Sequence, residues 1–220
     1  MIAKTLGASL GFDTSENMTL AQYTYLKGLG FKWGCRYVPL AGQSVTSPGV
    51  ISASELAAAL STGMGLMFVQ FAQEKSWTSQ QGLLDGQAAA AYVLGLGVPN
   101  TVCLWCDLGI NSSAQVAADY LNAWYQGTIN AGMNPTAAGV YMEPGVPLSS
   151  EQRYNMVNVH RYWATAANDP NRFPSNRGCQ LIQLWESSKG EYSPELGLEI
   201  DADVAQEDWF ESAPIAVFGA

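Results

Sequence analysis

The sequence predicts an α/β fold, a compact (β/α)8 TIM-like barrel in which some helices of the second half are short or missing. Three observations carry this. Eight short runs of near-continuous apolar residues recur along the chain, bounded by Gly or Asn, as strands buried on both faces require. Amphipathic or Ala-rich stretches separate most of them. Acidic and aromatic residues fall repeatedly at the ends of these runs, where a barrel of this kind collects its polar side chains. Strand counting alone leaves an open doubly wound sheet as the alternative.

The elements follow in order. SLGFD (9–13) is the first strand, and MTLAQYTYLKGLG (18–30) is a helix stopped by Gly28 and Gly30. FKWGCRYV (31–38) is the second strand. SASELAAALSTG (52–63) is a helix with Ser52 and Glu55 in capping-box spacing. GLMFVQFA (65–72) is the third strand, and GLLDGQAAAAYVLGLG (82–97) is an Ala-rich helix that needs close packing on a neighbour. Its Gly95-Leu-Gly97 ending reads as a C-cap rather than a phosphate loop. TVCLWCD (101–107) is the fourth strand, and a long helix spans 112–132, capped by Ser112 or Ser113. AAGVYME (137–143) is the fifth strand, SSEQRYNMV (149–157) a short helix and VHRYWATA (159–166) the sixth strand. CQLIQLWE (179–186) is the seventh strand, GLEIDAD (197–203) the eighth, and VAQEDWFES (204–212) a closing helix. No composition break divides the chain, so residues 1–220 are expected to form a single barrel domain.

Composition narrows the function. Charged residues make up 13% of the chain, against a usual value of about 25%. The net charge of −9 argues against nucleic acid and against an anionic membrane surface. The single histidine, His160, rules out a two-His metal site and leaves little room for a nucleophile–His triad. It reads as a packing residue in mid-strand. Asp201-Ala-Asp203 supplies too few oxygens for calcium, so neither a metal nor a cofactor is predicted. Cys103 and Cys106 have redox-motif spacing but sit in an apolar strand, which makes all four cysteines buried structural thiols. No run is long enough for a membrane span, and the N-terminus lacks the apolar core of a signal peptide. The compartment stays open between the cytoplasm and export by a non-classical route.

Catalysis is thereby pushed toward carboxylates. Asp13 ends the first strand, Asp107 the fourth and Glu143 the fifth, Glu74 follows the third, and Asp201 and Asp203 end the eighth. Carboxylates that share a cavity raise one another's pKa, so one holds a proton while another stays ionised. Glycoside hydrolysis needs that pairing: an acid for the leaving oxygen and a base or nucleophile for the anomeric carbon. Arg36, Tyr37, Gln70, Tyr141, Trp163, Gln183 and Trp185 fall at strand ends as candidate substrate contacts. Their aromatic faces suit sugar rings. Taken singly, each has a plainer reading. A lone Asp after a strand is commonly a turn or N-cap residue, and a strand-end Trp is commonly core. Arg36 reads equally as a buried partner for Asp13.

GFDTS, RYV, ISASEL, LGLGVPNTVCLWCDLG, AAGVY, QLWES and IDADVAQEDW, in that order and spacing, resemble one family over roughly residues 8–210. It is the glycoside-hydrolase-like TIM-barrel domain family, a domain of unknown function distantly similar to glycosyl hydrolase family 25 lysozymes, which cleave bacterial peptidoglycan. The resemblance implies that Asp13 is the first-strand acid, Asp107 the first acid of the fourth-strand pattern and Asp201 the last-strand acid. Tyr141 and Gln183 match its polar positions on strands five and seven. The lysozymes carry a second acid two residues beyond the first on strand four, and here that position is Gly109. The resemblance therefore implies a peptidoglycan-directed glycoside hydrolase that takes its proton from Glu143 or Glu74, with a glycan or peptidoglycan as partner. The alternatives are a catalytically impaired glycan-binding module, and a component or cargo of a phage or secretion assembly.

Overall fold

The computed structural model describes residues 1–72, 77–109, 113–142, 146–155, 158–165, 174, 177–184, 197 and 199–220. The first half holds β1 (Ile2–Thr5), β2 (Ser9–Thr14), α1 (Leu20–Gly28), β3 (Trp33–Tyr37), α2 (Ala53–Ser61), β4 (Gly65–Ala72) and α3 (Ser79–Gly95). The second holds β5 (Leu104–Leu108), α4 (Ala114–Asn130), β6 (Ala138–Met142), α5 (Ser150–Asn155), β7 (Tyr162–Thr165), β8 (Leu181–Gln183), β9 (Asp201–Ala205) and β10 (Ile215–Phe218).

Strands β2 to β8 each run parallel to the next. β9 runs antiparallel to both β8 and β2 and closes the ring. The fold is thus a closed eight-stranded barrel with helices between strands, and the open-sheet alternative falls away. Each of the eight apolar runs supplies one barrel strand.

Side-chain alternation divides the core in two. Trp33, Cys35, Met67, Val69, Cys103, Trp105, Trp163 and Leu181 fill the lumen. Phe12, Leu66, Phe68, Leu104, Val140 and Tyr162 face the helices. The lumen is packed by pairing a large residue with a small one. A Cβ on Gly11 would lie 2.1 Å from the Trp33 ring, so only glycine fits opposite that indole. The same alternation separates Cys103, in the lumen, from Cys106, against the helices. All four cysteines are free and buried.

The helices begin where their caps dictate. Thr19 and Gln22 form a full capping box on α1. Ser52 accepts from Glu55 N on α2, but the Glu55 side chain turns inward instead of completing the box. Ser113 caps α4, and α3 ends at Leu96 before Gly97 at φ +79°. The close packing that the Ala-rich helix requires is against α4: a Cβ on Gly86 would come within 2.0 Å of the Trp124 carbonyl oxygen.

Two expectations are corrected. Residues 204–212 do not form a closing helix. β9 runs through Ala205, and the chain then turns on the buried Asp208, whose Oδ1 accepts from Phe210 N and Ser212 N, both at 2.9 Å. These bonds stabilise a tight turn over a helix. The turn leads into β10, which pairs antiparallel with β1 and with Leu66 of β4. His160 lies ahead of β7 rather than within it, and the residue is exposed rather than packed in the core.

Candidate functional site

The mouth of the barrel is formed by the C-terminal ends of β2 to β8 and, because β9 is reversed, by its N-terminal end. Asp201 therefore opens its strand rather than ending it, yet it still stands at the mouth, opposite Asp13 in register. Asp13, Tyr37, Asp107, Tyr141, Trp163, Gln183 and Asp201 are brought together on this lumenal end. Glu74, Glu143 and Trp185 lie outside the described residues. Gly109 is buried just beyond Asp107 and carries no acid.

Arg36 and Gln70 are not brought to the mouth. Each precedes a lumenal residue in its strand, so each points outward. Arg36 is 0% exposed. It pairs through Nε with Glu55 Oε1 at 2.7 Å and donates to the carbonyls of Thr14 and Glu16. Tyr23 OH donates to the same Glu55 oxygen at 2.9 Å. Arg36 therefore neutralises Glu55, and it ties down the rim segment that follows Asp13. Gln70 donates to Pro39 O at 2.6 Å and Asp85 O at 3.0 Å, and accepts from Trp124 Nε1 at 2.8 Å. It anchors the loop after β3 to the helix pair behind it.

Two adjoining cavities open at the mouth. One, of about 390 Å³, is lined by Ser15, Tyr37, Leu40, Pro48, Phe71 and Asp107. The other, of about 160 Å³, is lined by Asp13, Glu16, Tyr37, Glu199 and Asp201. Tyr37 is the partition. Its hydroxyl donates a long hydrogen bond to Asp107 Oδ2 at 3.5 Å. Burial, and then the Asp107 charge, push its phenol well above the ordinary range, so it remains a donor.

Behind the smaller cavity lies a chain of polar contacts. Tyr141 OH donates to Gln183 Oε1 at 2.7 Å, and Gln183 Nε2 donates to Asp13 Oδ2 at 3.3 Å. Asp203 sits beside Gly11 and Gln183 in register, where it interacts with Asp13. Trp163 Nε1 donates to Asp203 Oδ1 at 2.9 Å. Burial lifts Asp13 to about 7, and the Asp201 charge adds to the shift. Bonds from Asp203 and Gln183 pull it back in part, and Arg36 pulls back least. Asp203 is held well above the carboxylate range by burial and by Asp13. The two carboxyls are therefore a coupled pair in which burial and mutual repulsion favour the protonated form.

Asp203, read from the sequence as one of the two acids of the eighth strand, makes the carboxyl pair with Asp13. One site residue is not among the candidates read from the sequence. Phe71, 41% exposed, lines the larger cavity next to Asp107 in register. Strand parity was the available signal for Phe71, since Met67, Val69 and Phe71 alternate on one face. Among the described residues, no group of three or more His, Cys, Asp or Glu is placed to hold a metal ion. Nor is any helix among them long and apolar enough to cross a membrane.

Comparison with known proteins agrees with this architecture. Residues 24–206 match the Rv2525c-like, glycoside hydrolase-like domain family. Among curated proteins, no sequence matches. Among solved structures, the Mycobacterium tuberculosis Tat-secreted protein Rv2525c, in complex with L-tartrate, superposes with a TM-score of 0.66 at 14% identity. That match covers 92% of this chain and 97% of the other. GHIP, a glycosyl hydrolase 25 of Streptococcus pneumoniae, gives 0.62 at 11% identity, covering 90% and 87%. A muramidase from Acremonium alcalophilum gives 0.60 at 13% identity, covering 92% and 95%.

Proposed function

The chain belongs to the Rv2525c-like, glycoside hydrolase-like domain family, and from that premise we propose that its barrel mouth is a glycoside hydrolase site acting on bacterial cell-wall peptidoglycan. The observation that carries the reading is the convergence of Asp13, Asp107, Asp201 and Asp203 on one lumenal end, with Asp13 held to about 7. A carboxylic acid poised there keeps a proton at neutral pH and can release it to a leaving oxygen. The structural similarity to a muramidase supports the choice of substrate.

In this reading a saccharide lies across the two cavities, over Tyr37. Asp107 is the central carboxylate and faces the anomeric carbon. Asp13 gives its proton to the glycosidic oxygen as the C–O bond breaks. Asp107 stabilises the positive charge that develops, and water adds at the anomeric carbon, its proton returning to the carboxylates. Burial, aided by the Asp201 charge, holds Asp13's affinity for a proton high, and Asp203 lies beneath it. Tyr141 and Gln183 orient Asp13, with Trp163 fixing Asp203. Glu143 and Glu74, the donors that the sequence suggests, are the competing candidates. Tyr37 and Phe71 offer flat faces to sugar rings, and Trp185 is the further aromatic candidate.

The test is release of reducing ends from purified cell-wall glycan by the wild type and by Asp107→Asn. The reading expects activity that the variant loses by about 10²-fold or more, in line with removal of an essential acid–base group. Equal and negligible release from both overturns it. Asp13→Asn, Glu74→Gln and Glu143→Gln then identify the donor, since only the true donor abolishes turnover.

Gly109 favours a second reading, in which the site binds glycan without turnover, because the position two beyond Asp107 lacks a carboxylate. Calorimetry with wall fragments separates the two readings. Heat of binding without product supports the binding module, and no heat removes it.

A further inference from the structure

A separate pocket lies at the opposite end of the barrel, beneath its floor. It has a volume of about 180 Å³ and is lined by Tyr125, Thr136, His160, Arg161, Arg177 and Ser212, among others. The chain has only 10 Lys and Arg and a single His, yet two of those arginines and the histidine meet here. In a protein of net charge −9 that is a marked local reversal of sign.

The charges are not equivalent. Arg177 is compensated: its Nε lies 3.0 Å from Asp208 Oδ2, and its guanidinium sits 5.1 Å above the Phe210 ring. Arg161 is 7% exposed, and its hydrogen bonds go to neutral groups. Nε donates to the Thr136 carbonyl and Nη1 to Ala213 O at 2.5 Å. Among the described residues no carboxylate forms an ion pair with it. Carbonyl dipoles satisfy part of its donor set but leave a full charge in a poorly solvated place, which is costly unless an anion compensates it. A guanidinium has five N–H donors in a planar fork, a shape that matches phosphate and carboxylate oxygens. Arg161 uses two of them on the floor of the barrel and lines the pocket. Thr136 and Ser212 line the same wall, the Thr136 hydroxyl donating to Asn134 Oδ1 at 2.8 Å.

We propose that this pocket is an oxyanion site that takes one phosphate or carboxylate group on Arg161, with His160 and Ser212 beside it. It is separate from the mouth and independent of the chemistry there. His160 would report occupancy. Partial burial and the Arg177 charge hold its imidazole below the ordinary range, and a bound anion opposes the second of these.

Because the chain has one histidine, its imidazole proton resonance needs no assignment. The test follows that resonance as inorganic phosphate, or acetate, is added to the intact protein at fixed pH and matched ionic strength with chloride. The proposal expects a saturable shift with at least one of the two anions and a rise in the His160 titration midpoint. Ser212→Glu places a carboxylate in the pocket while leaving the Arg161 bonds to Thr136 and Ala213 intact, and it should weaken binding by about tenfold or more. Arg161→Met should lose binding if it folds, and Ser212→Glu carries the test if it does not. The absence of any saturable shift in the wild type overturns the proposal. So does a Ser212→Glu protein, or a folded Arg161→Met protein, that binds as well as the wild type.

Discussion

Replacing Asp13 by Asn should change how stability depends on pH, and the size of the change follows from the site. Burial and the Asp201 charge lift the Asp13 carboxyl from 3.8 to about 7. Between those values the folded protein holds a proton that the unfolded chain has released. Stability therefore falls as pH rises through this window and levels off above about 7. The advantage of the protonated form is fully present below the unfolded pKa and lost by the folded one. At about 1.4 kcal/mol per pH unit, the cost of this carboxyl is about 2 kcal/mol at pH 5 and about 4 kcal/mol at pH 7. Asparagine does not titrate, so Asp13→Asn escapes that cost. Its amide cannot accept from both Asp203 and Gln183 as the carboxylate does, which subtracts about 1–2 kcal/mol at every pH. Burial, the largest cause of the raised Asp203 pKa, is the same in both proteins. The stability difference between variant and wild type should thus grow in the variant's favour by about 2 kcal/mol from pH 5 to pH 7. Urea denaturation at the two pH values measures it, provided the m-values agree. A difference that stays constant within about 0.5 kcal/mol would refute the assignment of a raised pKa to Asp13.

Three further outcomes are expected. Glu55→Gln leaves Arg36 buried without its counter-charge and should cost about 3–5 kcal/mol in chemical denaturation; a loss below about 1 kcal/mol would show that the carbonyls of Thr14 and Glu16 suffice. Gly11→Ala drives a methyl into the Trp33 ring at 2.1 Å and should lower stability by about 1–3 kcal/mol, visible as a fall in Tm. The four buried cysteines, with Cys35 and Cys106 pushed well above the ordinary thiol range by burial, should resist a thiol reagent in the native protein and all react in urea; rapid native labelling would contradict the packing of the two core layers.

The barrel was legible because burial on both strand faces leaves a continuous apolar run, and eight such runs leave few other arrangements. Direction was not legible. The run that became β9 has the same composition whichever way it points, so its antiparallel course and the position of Asp201 at its start emerge only from pairing. Parity was the second blind spot. Arg36 and Tyr37 are adjacent, as are Gln70 and Phe71, and a one-residue step turns a side chain from lumen to helix layer. Both members of the first pair cannot be rim contacts, and in the second pair Phe71, not Gln70, faces the cavity. The segment 204–212 has a helix-compatible pattern, but the side chain of Asp208 competes for the backbone N–H groups of Phe210 and Ser212 and so makes a turn. The carboxyl cluster was legible in outline, since Asp13, Asp107 and Asp201 stand at the ends of apolar runs. The role of Asp203 depends on where Gly11 and Gln183 leave space, which spacing alone does not encode.

The most direct test of the carboxylate mouth is the pH dependence of reducing-end release from peptidoglycan by the wild type and by Asp13→Asn. A donor held to about 7 predicts wild-type turnover that declines as pH rises through that value, and an Asp13→Asn protein that has lost turnover together with this limb. A wild-type rate that is unchanged across pH 7, or an Asp13→Asn protein with the same rate and the same profile, would contradict the account.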